Sequence, residues 1–219
     1  MDSSRRRFLG RWGSAAAGVA AVPFAVPRPE VPRPEVPRPE VARSELPESR
    51  VRPDERFTHE RYMRLAIEQA RKNAYWPFGA VIVGTRSGEV LGSGVNTGAD
   101  NPMFHGEVVA MNDYVRRNGN QGWADTTLYT TGEPCSMCMS AMAWANLRRV
   151  VWASSIDEIR RTDISQIALT AREVAAAARS LYTPELLLGG VLAGRTNALF
   201  EEAQRLREQL PAAPSANVS

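Results

Sequence analysis

Metal-binding side chains are scarce in this chain, which has two cysteines and two histidines among 219 residues. Two cysteines are too few for a four-cysteine structural zinc site, so that kind of site is excluded. The cysteines lie close together at Cys135 and Cys138, and one histidine, His105, precedes them. The few soft ligands that the sequence contains are therefore concentrated in one region.

An excess of positive charge is absent from most of the chain, although the whole sequence has a net charge of +3. Residues 1–53 contain 10 basic and 6 acidic residues, whereas residues 54–219 contain 17 and 18. A region so close to neutrality lacks the electrostatic footprint that phosphate binding requires. We therefore expect no nucleic-acid partner.

A membrane-spanning run is also lacking near the N-terminus, where the apolar stretch over 12–21 is too short to cross a bilayer stably. The preceding residues, Ser4-Arg5-Arg6-Arg7-Phe8-Leu9, resemble a twin-arginine export signal, and small residues over 21–25 suit signal peptidase. We expect residues 1–25 to be a signal peptide. The twin-arginine translocase would then be a partner, and the protein would be periplasmic or otherwise exported.

A proline-rich repeat follows, in which Val-Pro-Arg-Pro-Glu occurs three times over 26–40 before the pattern decays towards Pro53. Proline removes backbone donors and the spaced valines provide little apolar surface, so this tract cannot build a core. We expect residues 26–53 to be a disordered, semi-rigid linker. The folded domain is then predicted over 54–210, with a disordered tail over 211–219.

The motif that carries chemistry is His105-Gly106-Glu107 followed by Pro134-Cys135-Ser136-Met137-Cys138. One imidazole and two thiolates make three protein ligands, which is typical of a catalytic zinc with one open position. The carboxyl group of Glu107 is left over as a proton carrier. The pattern predicts that Zn²⁺ is the cofactor.

Apolar periodicity and turn residues predict an α/β domain in which helix, strand, strand, helix, strand, helix and strand succeed one another. We expect helices over 58–75 (with Thr58 as N-cap), 105–118, 135–146, 164–180 and 198–210, and strands over 80–84, 90–96, 126–131, 149–153 and 185–188.

Residues two apart on a helix point about 200° apart, so His105 and Glu107 can share a target only beyond the end of their helix. Cys135 and Cys138 lie on one face of an opening turn, and Pro134 suits a helix start. We expect two helix N-termini to converge on the ion and to favour thiolates there.

These residues resemble the cytidine deaminase-like zinc deaminases, whose signature is H-x-E followed by P-C-x-x-C. The resemblance extends to Pro77-Phe78-Gly79-Ala80, Asn96 and the run from Thr127 to Thr131, and covers residues 58 to about 155. It implies a three-layer α/β/α fold with a mixed five-stranded sheet. It also implies a homodimer or a larger assembly.

The resemblance further implies hydrolytic deamination, with His105, Cys135 and Cys138 as zinc ligands and Glu107 as the catalytic proton carrier. The residues that would contact the substrate are Asn96, Phe78, Phe104, Gly106 and Pro134. Asn96 lies about two residues nearer to the histidine than in relatives. Trp76 is a further aromatic candidate, and Asp163 and residues 200–202 are candidates from the C-terminal region.

Other functions remain open on the residues alone. In an exported protein, Cys-x-x-Cys also occurs as a thiol-disulfide redox motif or as a bridge in a binding module. A non-catalytic zinc-binding module on a deaminase-like scaffold is a further alternative. The redox motif or bridge is disfavoured by the upstream His-Gly-Glu, by the Glu-Pro before Cys135 and by the predicted order of strands. The non-catalytic module is disfavoured because every catalytic position is filled.

The resemblance names three substrate classes: guanine, cytosine and transfer-RNA adenosine. Export and the near-neutral domain argue against RNA. We therefore expect a free nucleobase or nucleoside, with guanine ahead of cytosine and a tRNA adenosine deaminase as the alternative.

Overall fold

The computed structural model describes residues 53–210, with side chains from Thr58 onward. The predicted signal peptide over 1–25, the linker over 26–53 apart from Pro53, and the tail over 211–219 lie outside the described residues. Within the described range, no helix is long and apolar enough to span a membrane.

In chain order the described elements are α1 (Pro53–Ala70), β1 (Gly79–Gly84), β2 (Val90–Val95), α2 (Gly106–Asn118), a 3₁₀ turn (Trp123–Asp125), β3 (Thr126–Gly132), α3 (Ser136–Ala145), β4 (Arg149–Ser154), α4 (Ile156–Arg160), α5 (Ala171–Ala177), β5 (Leu186–Leu188) and α6 (Ala193–Glu208). From α1 to β4 the helices and strands follow the predicted order of helix, strand, strand, helix, strand, helix and strand.

The five strands form one mixed sheet in the order β2-β1-β3-β4-β5. β1 pairs antiparallel with both β2 and β3, whereas β3, β4 and β5 are parallel to one another. Gly79 pairs with Val95, and Ala80 pairs with Thr130, so the start of β1 lies beside the ends of β2 and β3. The expected mixed five-stranded sheet is confirmed.

Each face of the sheet is buried under helices, which gives three layers. Ala80, Ile82 and Leu128 point into a core that includes side chains of α2, α3 and α5. Val81 and Tyr129, on the alternate positions, point into a second core with α1. This alternation follows from the two-residue period of a strand and explains why the central strands are almost wholly apolar or β-branched.

Helix α2 packs directly against the backbone of β2 because its neighbours on that strand are glycines. A Cβ atom on Gly94 would collide with the backbone nitrogen of Ala110 and the carbonyl oxygen of Gly106, and one on Gly92 would lie 2.8 Å from the Ala110 carbonyl oxygen. The first turn of α2 is thereby pressed against the end of β2. His105 precedes that turn, so the close approach sets its position.

The first helix differs from the prediction at both ends. It begins at Pro53, a residue type suited to an opening turn, so Thr58 lies inside the helix and the N-cap prediction is wrong. It ends at Ala70 instead of continuing to residue 75. The loop after it is held by the Asn73 side chain, whose Oδ1 accepts the backbone N–H of Trp76 at 3.1 Å.

The predicted helix over 164–180 is also wrong, because only Ala171–Ala177 is helical. That helix begins with a capping box in which Thr170 and Glu173 exchange hydrogen bonds, a signal of the Thr-x-x-Glu type that the prediction missed. A short helix over Ile156–Arg160, capped by Ser155, was not predicted. The last helix begins at Ala193, five residues before the expected start.

We predict that Gly94→Ala destabilises the domain by about 1–3 kcal/mol, because the added methyl group overpacks the contact between β2 and α2. Urea denaturation measures this as a lower free energy of unfolding. Gly194→Ala is the matched control, since a Cβ there meets no atom within 4 Å. Equal stability of the two variants would contradict the packing argument.

Candidate metal centre

His105 and Cys135 occupy equivalent places, since each is the N-cap residue of a helix. His105 precedes α2 and Cys135 precedes α3, both with extended backbone (φ −65°, ψ 156° and φ −63°, ψ 169°). Neither side chain caps its own helix, so both are free to point at a common target. Cys138 lies in the first turn of α3. The two helix N-termini therefore converge, as the sequence predicts.

The three ligand atoms form a nearly equilateral triangle. Cys135 Sγ lies 3.5 Å from His105 Nδ1 and 3.6 Å from Cys138 Sγ, and Cys138 Sγ lies 3.6 Å from His105 Nδ1. Zinc bonds of about 2.0–2.3 Å in a tetrahedral site imply ligand separations of roughly 3.3–3.8 Å. The residues therefore fit a zinc ion, and within the described residues they are the only such group.

The ligands also differ in protonation. The hydrogen bond from Cys138 and then that from His105 lower the pKa of Cys135 to about 4, whereas the bond to Cys135 and burial raise the pKa of Cys138 well above its usual value. The bond to Cys135 raises the pKa of His105. Two thiolates this close repel each other, so the sulfurs share a proton until a cation replaces it.

Glu107 is buried beside the ligand triangle, with 3% of its surface exposed. Its Oε1 accepts a hydrogen bond from the Thr130 hydroxyl at 3.3 Å, and its Oε2 accepts one from Cys138 Sγ at 3.6 Å. Burial is the main cause that raises the pKa of this carboxyl group. A carboxyl group whose pKa is raised by burial holds a proton more readily and is suited to proton transfer.

Sequence reasoning missed the role of Glu133, which precedes Pro134 and Cys135. Its buried carboxylate accepts the backbone N–H of Ile156 at 3.1 Å through Oε2 and that of Ala171 at 2.9 Å through Oε1. These are the first residues of α4 and α5. Glu133 therefore links the cysteine loop to the C-terminal third of the domain, a contact that no local pattern indicates.

The five predicted substrate residues surround the same end of the sheet. The Phe78 carbonyl oxygen accepts the Asn96 N–H at 2.9 Å. A Cβ atom added to Gly106 would lie 2.5 Å from the same oxygen. Phe104 precedes His105 and accepts the Thr97 N–H at 3.0 Å. Pro134 is buried next to Cys135.

Two of these side chains, those of Phe78 and Asn96, also make contacts with other parts of the fold. The Phe78 ring packs on Phe200 with the ring centroids 4.9 Å apart, so this ring serves a small core as well as the site. Asn96 Oδ1 accepts the Gly98 N–H at 3.0 Å. Of the other candidates, Asp163 accepts a bond from Gln204 at 2.7 Å, and Trp76 lies under Arg207.

Similar sequences are found among deaminases of two kinds. The tRNA-specific adenosine deaminase of Streptococcus pyogenes serotype M18 (strain MGAS8232) is 35% identical over 99 residues, covering 43% of this chain and 61% of that protein. The tRNA-specific adenosine deaminase of Rickettsia bellii (strain RML369-C) is 33% identical over 99 residues, covering 42% and 68%. The guanine deaminase of Bacillus subtilis (strain 168) is 35% identical over 102 residues, covering 44% and 64%. The chain thus spans about three fifths of the length of the streptococcal relative.

The fold itself is shared with a solved structure, the guanine deaminase from Nitrosomonas europaea. The two superpose with a TM-score of 0.58 at 22% sequence identity, over 67% of this chain and 84% of that one. The α/β architecture is therefore that of a known deaminase structure.

We predict that the purified protein binds one zinc ion per chain and that Cys138→Ala weakens binding by more than about 100-fold, since even outer-shell changes weaken metal sites by 10–100-fold. Competition with a chromogenic chelator measures the affinity. His59→Gln alters the chain's other histidine, which bonds to the Tyr129 hydroxyl at 3.0 Å, and serves as the control. Full zinc affinity in Cys138→Ala would exclude this centre.

The sequence also matches a model of a protein family. The model of the cytidine and deoxycytidylate deaminase zinc-binding region matches residues 56–154, which include His105, Glu107, Cys135 and Cys138. The Rickettsia relative agrees, because the match covers more than two thirds of its length. This chain belongs to the family of the cytidine and deoxycytidylate deaminase zinc-binding region.

Proposed function

We propose that this protein is a zinc-dependent hydrolytic deaminase that converts an amino-bearing nucleobase or nucleoside to its carbonyl product with release of ammonia. The observation that carries the proposal is the buried Glu107 carboxyl group, 3.6 Å from Cys138 Sγ at the edge of the ligand triangle. A purely structural zinc site has no need of such a group. The named deaminases among the relatives support the same chemistry.

His105, Cys135 and Cys138 would hold the zinc ion, which would supply a Lewis acid that lowers the pKa of water towards neutrality. Glu107 is placed to accept the proton of the attacking water on its carboxylate. That proton would pass from Glu107 to the ring nitrogen, and the second proton of the water, taken from the new hydroxyl group, would pass through the same carboxyl group to the departing amine. A carbon–oxygen bond forms, the exocyclic carbon–nitrogen bond breaks, and ammonia leaves. The Thr130 hydroxyl fixes the carboxyl orientation through Oε1.

The base would be held by the residues that surround this end of the sheet. The Gly98 N–H donates to Asn96 Oδ1, and the side-chain amide nitrogen of Asn96 would donate to the base. Phe104 lies next to His105 and is half-buried, which suits stacking on a ring. Gly106 and Pro134 line the approach through their backbones.

Guanine is the favoured substrate, with cytosine next. Both guanine and tRNA adenosine deaminases occur among the relatives, so identity alone does not separate them. Residues 54–219 contain 17 basic and 18 acidic residues, and tRNA binding requires many phosphate contacts. A small free base fits this charge better, and tRNA adenosine is the second candidate.

We predict ammonia release from guanine in a panel that also contains cytosine, isocytosine, adenine, their nucleosides and a tRNA anticodon stem-loop. Glutamate dehydrogenase coupling measures the ammonia. The expected order of kcat/KM is guanine, then cytosine, with the stem-loop inactive. Turnover of the stem-loop alone would replace this proposal with the tRNA alternative, and a redox couple without zinc would indicate a thiol-disulfide oxidoreductase.

We also predict that Glu107→Gln lowers kcat by about 10²–10⁴-fold, the range that general acid–base groups supply, while zinc content stays at one per chain. The amide preserves the shape of the side chain but cannot carry the proton. Glu89→Gln, which changes an exposed glutamate of the β1–β2 turn, is the matched control. Undiminished turnover in Glu107→Gln would refute the assigned role.

We propose further that the protein is exported by the twin-arginine translocase, that residues 26–53 act as a spacer, and that the folded domain is a homodimer. Changing Arg5 and Arg6 to lysine should then retain the protein in the cytoplasm, as cell fractionation would show. Export of the double variant at the normal level would contradict the signal.

Light scattering tests the proposed homodimer, and a monomer at micromolar concentration would exclude it.

A further inference from the structure

We propose that Arg207, in the last turn of α6, is a positioning residue for the nucleobase pocket. Arg207 acts through residues 75–78, which we call the aromatic segment and which connect α1 to β1. The proposal rests on the proposed function, because it assigns to α6 a part in binding the substrate of that site. Arg207 lies outside residues 56–154, the part that the family model matches.

The guanidinium group of Arg207 makes three contacts that are far apart in sequence. It donates one hydrogen bond to the Tyr75 carbonyl oxygen at 2.7 Å and another to the Thr162 carbonyl oxygen at 2.7 Å. Its central carbon lies 4.8 Å from the centroid of the Trp76 ring, in cation–π geometry. One planar group thus joins the aromatic segment to the loop after α4.

A second contact between α6 and the aromatic segment supports the role of Arg207. Phe200 lies seven residues before Arg207, on the same face of α6, and its ring packs on Phe78. Phe200 is buried with Ile159 and Ile164 in a small core of its own. Helix α6 therefore holds the aromatic segment at both ends, with Arg207 at residues 75–76 and Phe200 at Phe78.

The aromatic segment leads directly to the metal centre. The Phe78 carbonyl oxygen accepts the Asn96 N–H at 2.9 Å and lies against Gly106, between His105 and Glu107. Asn73, at the start of the same loop, donates its side-chain amide to the Asn96 carbonyl oxygen at 2.9 Å. A shift of the aromatic segment would therefore move Asn96, which we place in the substrate pocket.

Arginine suits this position better than lysine does. A planar guanidinium group can donate N–H groups to two carbonyl oxygens and at the same time stack on an aromatic ring. A lysine ammonium group cannot reproduce this geometry. Partial burial lowers the pKa of Arg207, which agrees with a guanidinium removed from water by these contacts. His105 and Cys135 directly precede α2 and α3, and Cys138 lies in the first turn of α3. The three contacts of Arg207 given above involve none of these zinc ligands.

The experiment compares Arg207→Ala and Arg207→Lys with Arg205→Ala, a change of an exposed arginine in the same turn of α6. For the base that the wild-type zinc enzyme deaminates, we expect Arg207→Ala to raise KM about tenfold with kcat within about twofold. Arg207→Lys should raise KM less, and methylguanidinium should lower KM in Arg207→Ala. Zinc content should stay at one per chain in every variant.

A purely structural role gives a different pattern, in which stability and active fraction fall while KM is unchanged. That result, or a KM equal to that of Arg205→Ala, would overturn the proposal. If the wild-type enzyme deaminates no base, the proposed function fails, and hydrogen exchange then tests whether Arg207 positions the aromatic segment and Asn96. Faster exchange of the Phe78 and Asn96 amides in Arg207→Ala than in Arg205→Ala supports it, and equal exchange contradicts it.

Discussion

Two helix N-termini that meet at one end of the sheet form the constraint on which the rest of the structure depends. The meeting brings a histidine nitrogen and two cysteine sulfurs within 3.6 Å of one another. It requires α2 to lie close to β2, which the glycines of that strand allow. It also requires β3 to deliver Cys135 directly to the start of α3. The contacts that pack α2 and α3 against the sheet therefore also position the metal ligands.

The electrostatics of the site follow from this arrangement. The hydrogen bonds with Cys138 and His105 favour thiolate at Cys135, while Cys138 keeps a proton as long as no cation separates the two sulfurs. The partial positive charge of the helix N-terminus acts in the same direction on Cys135. Glu107 is removed from water in the same place, so its carboxyl group holds a proton more readily than an exposed one. A divalent cation and a proton-carrying carboxyl group are the two species that this environment stabilises.

The sequence predicted the layered α/β domain, the strands and the convergence of His105, Cys135 and Cys138, because these depend on local periodicity and on ligand spacing. It did not predict how the C-terminal third packs. Glu133 contacts the first residues of α4 and α5, and Arg207 contacts Tyr75, across 23 to 132 positions of sequence. Such contacts depend on tertiary packing, which residue patterns do not encode. The misplaced start of α1 and the overlong helix expected over 164–180 have a local cause instead, because the Pro53 start and the capping box of Thr170 and Glu173 were overlooked.

The central claim is that His105, Cys135 and Cys138 hold one zinc ion with a position left open for water. X-ray absorption at the zinc edge tests it most directly, because sulfur and nitrogen or oxygen neighbours scatter differently. We expect two sulfur neighbours at about 2.3 Å and two nitrogen or oxygen neighbours at about 2.0–2.1 Å. A spectrum with no sulfur neighbour, or a purified protein whose two cysteines form a disulfide and exclude zinc, would contradict it.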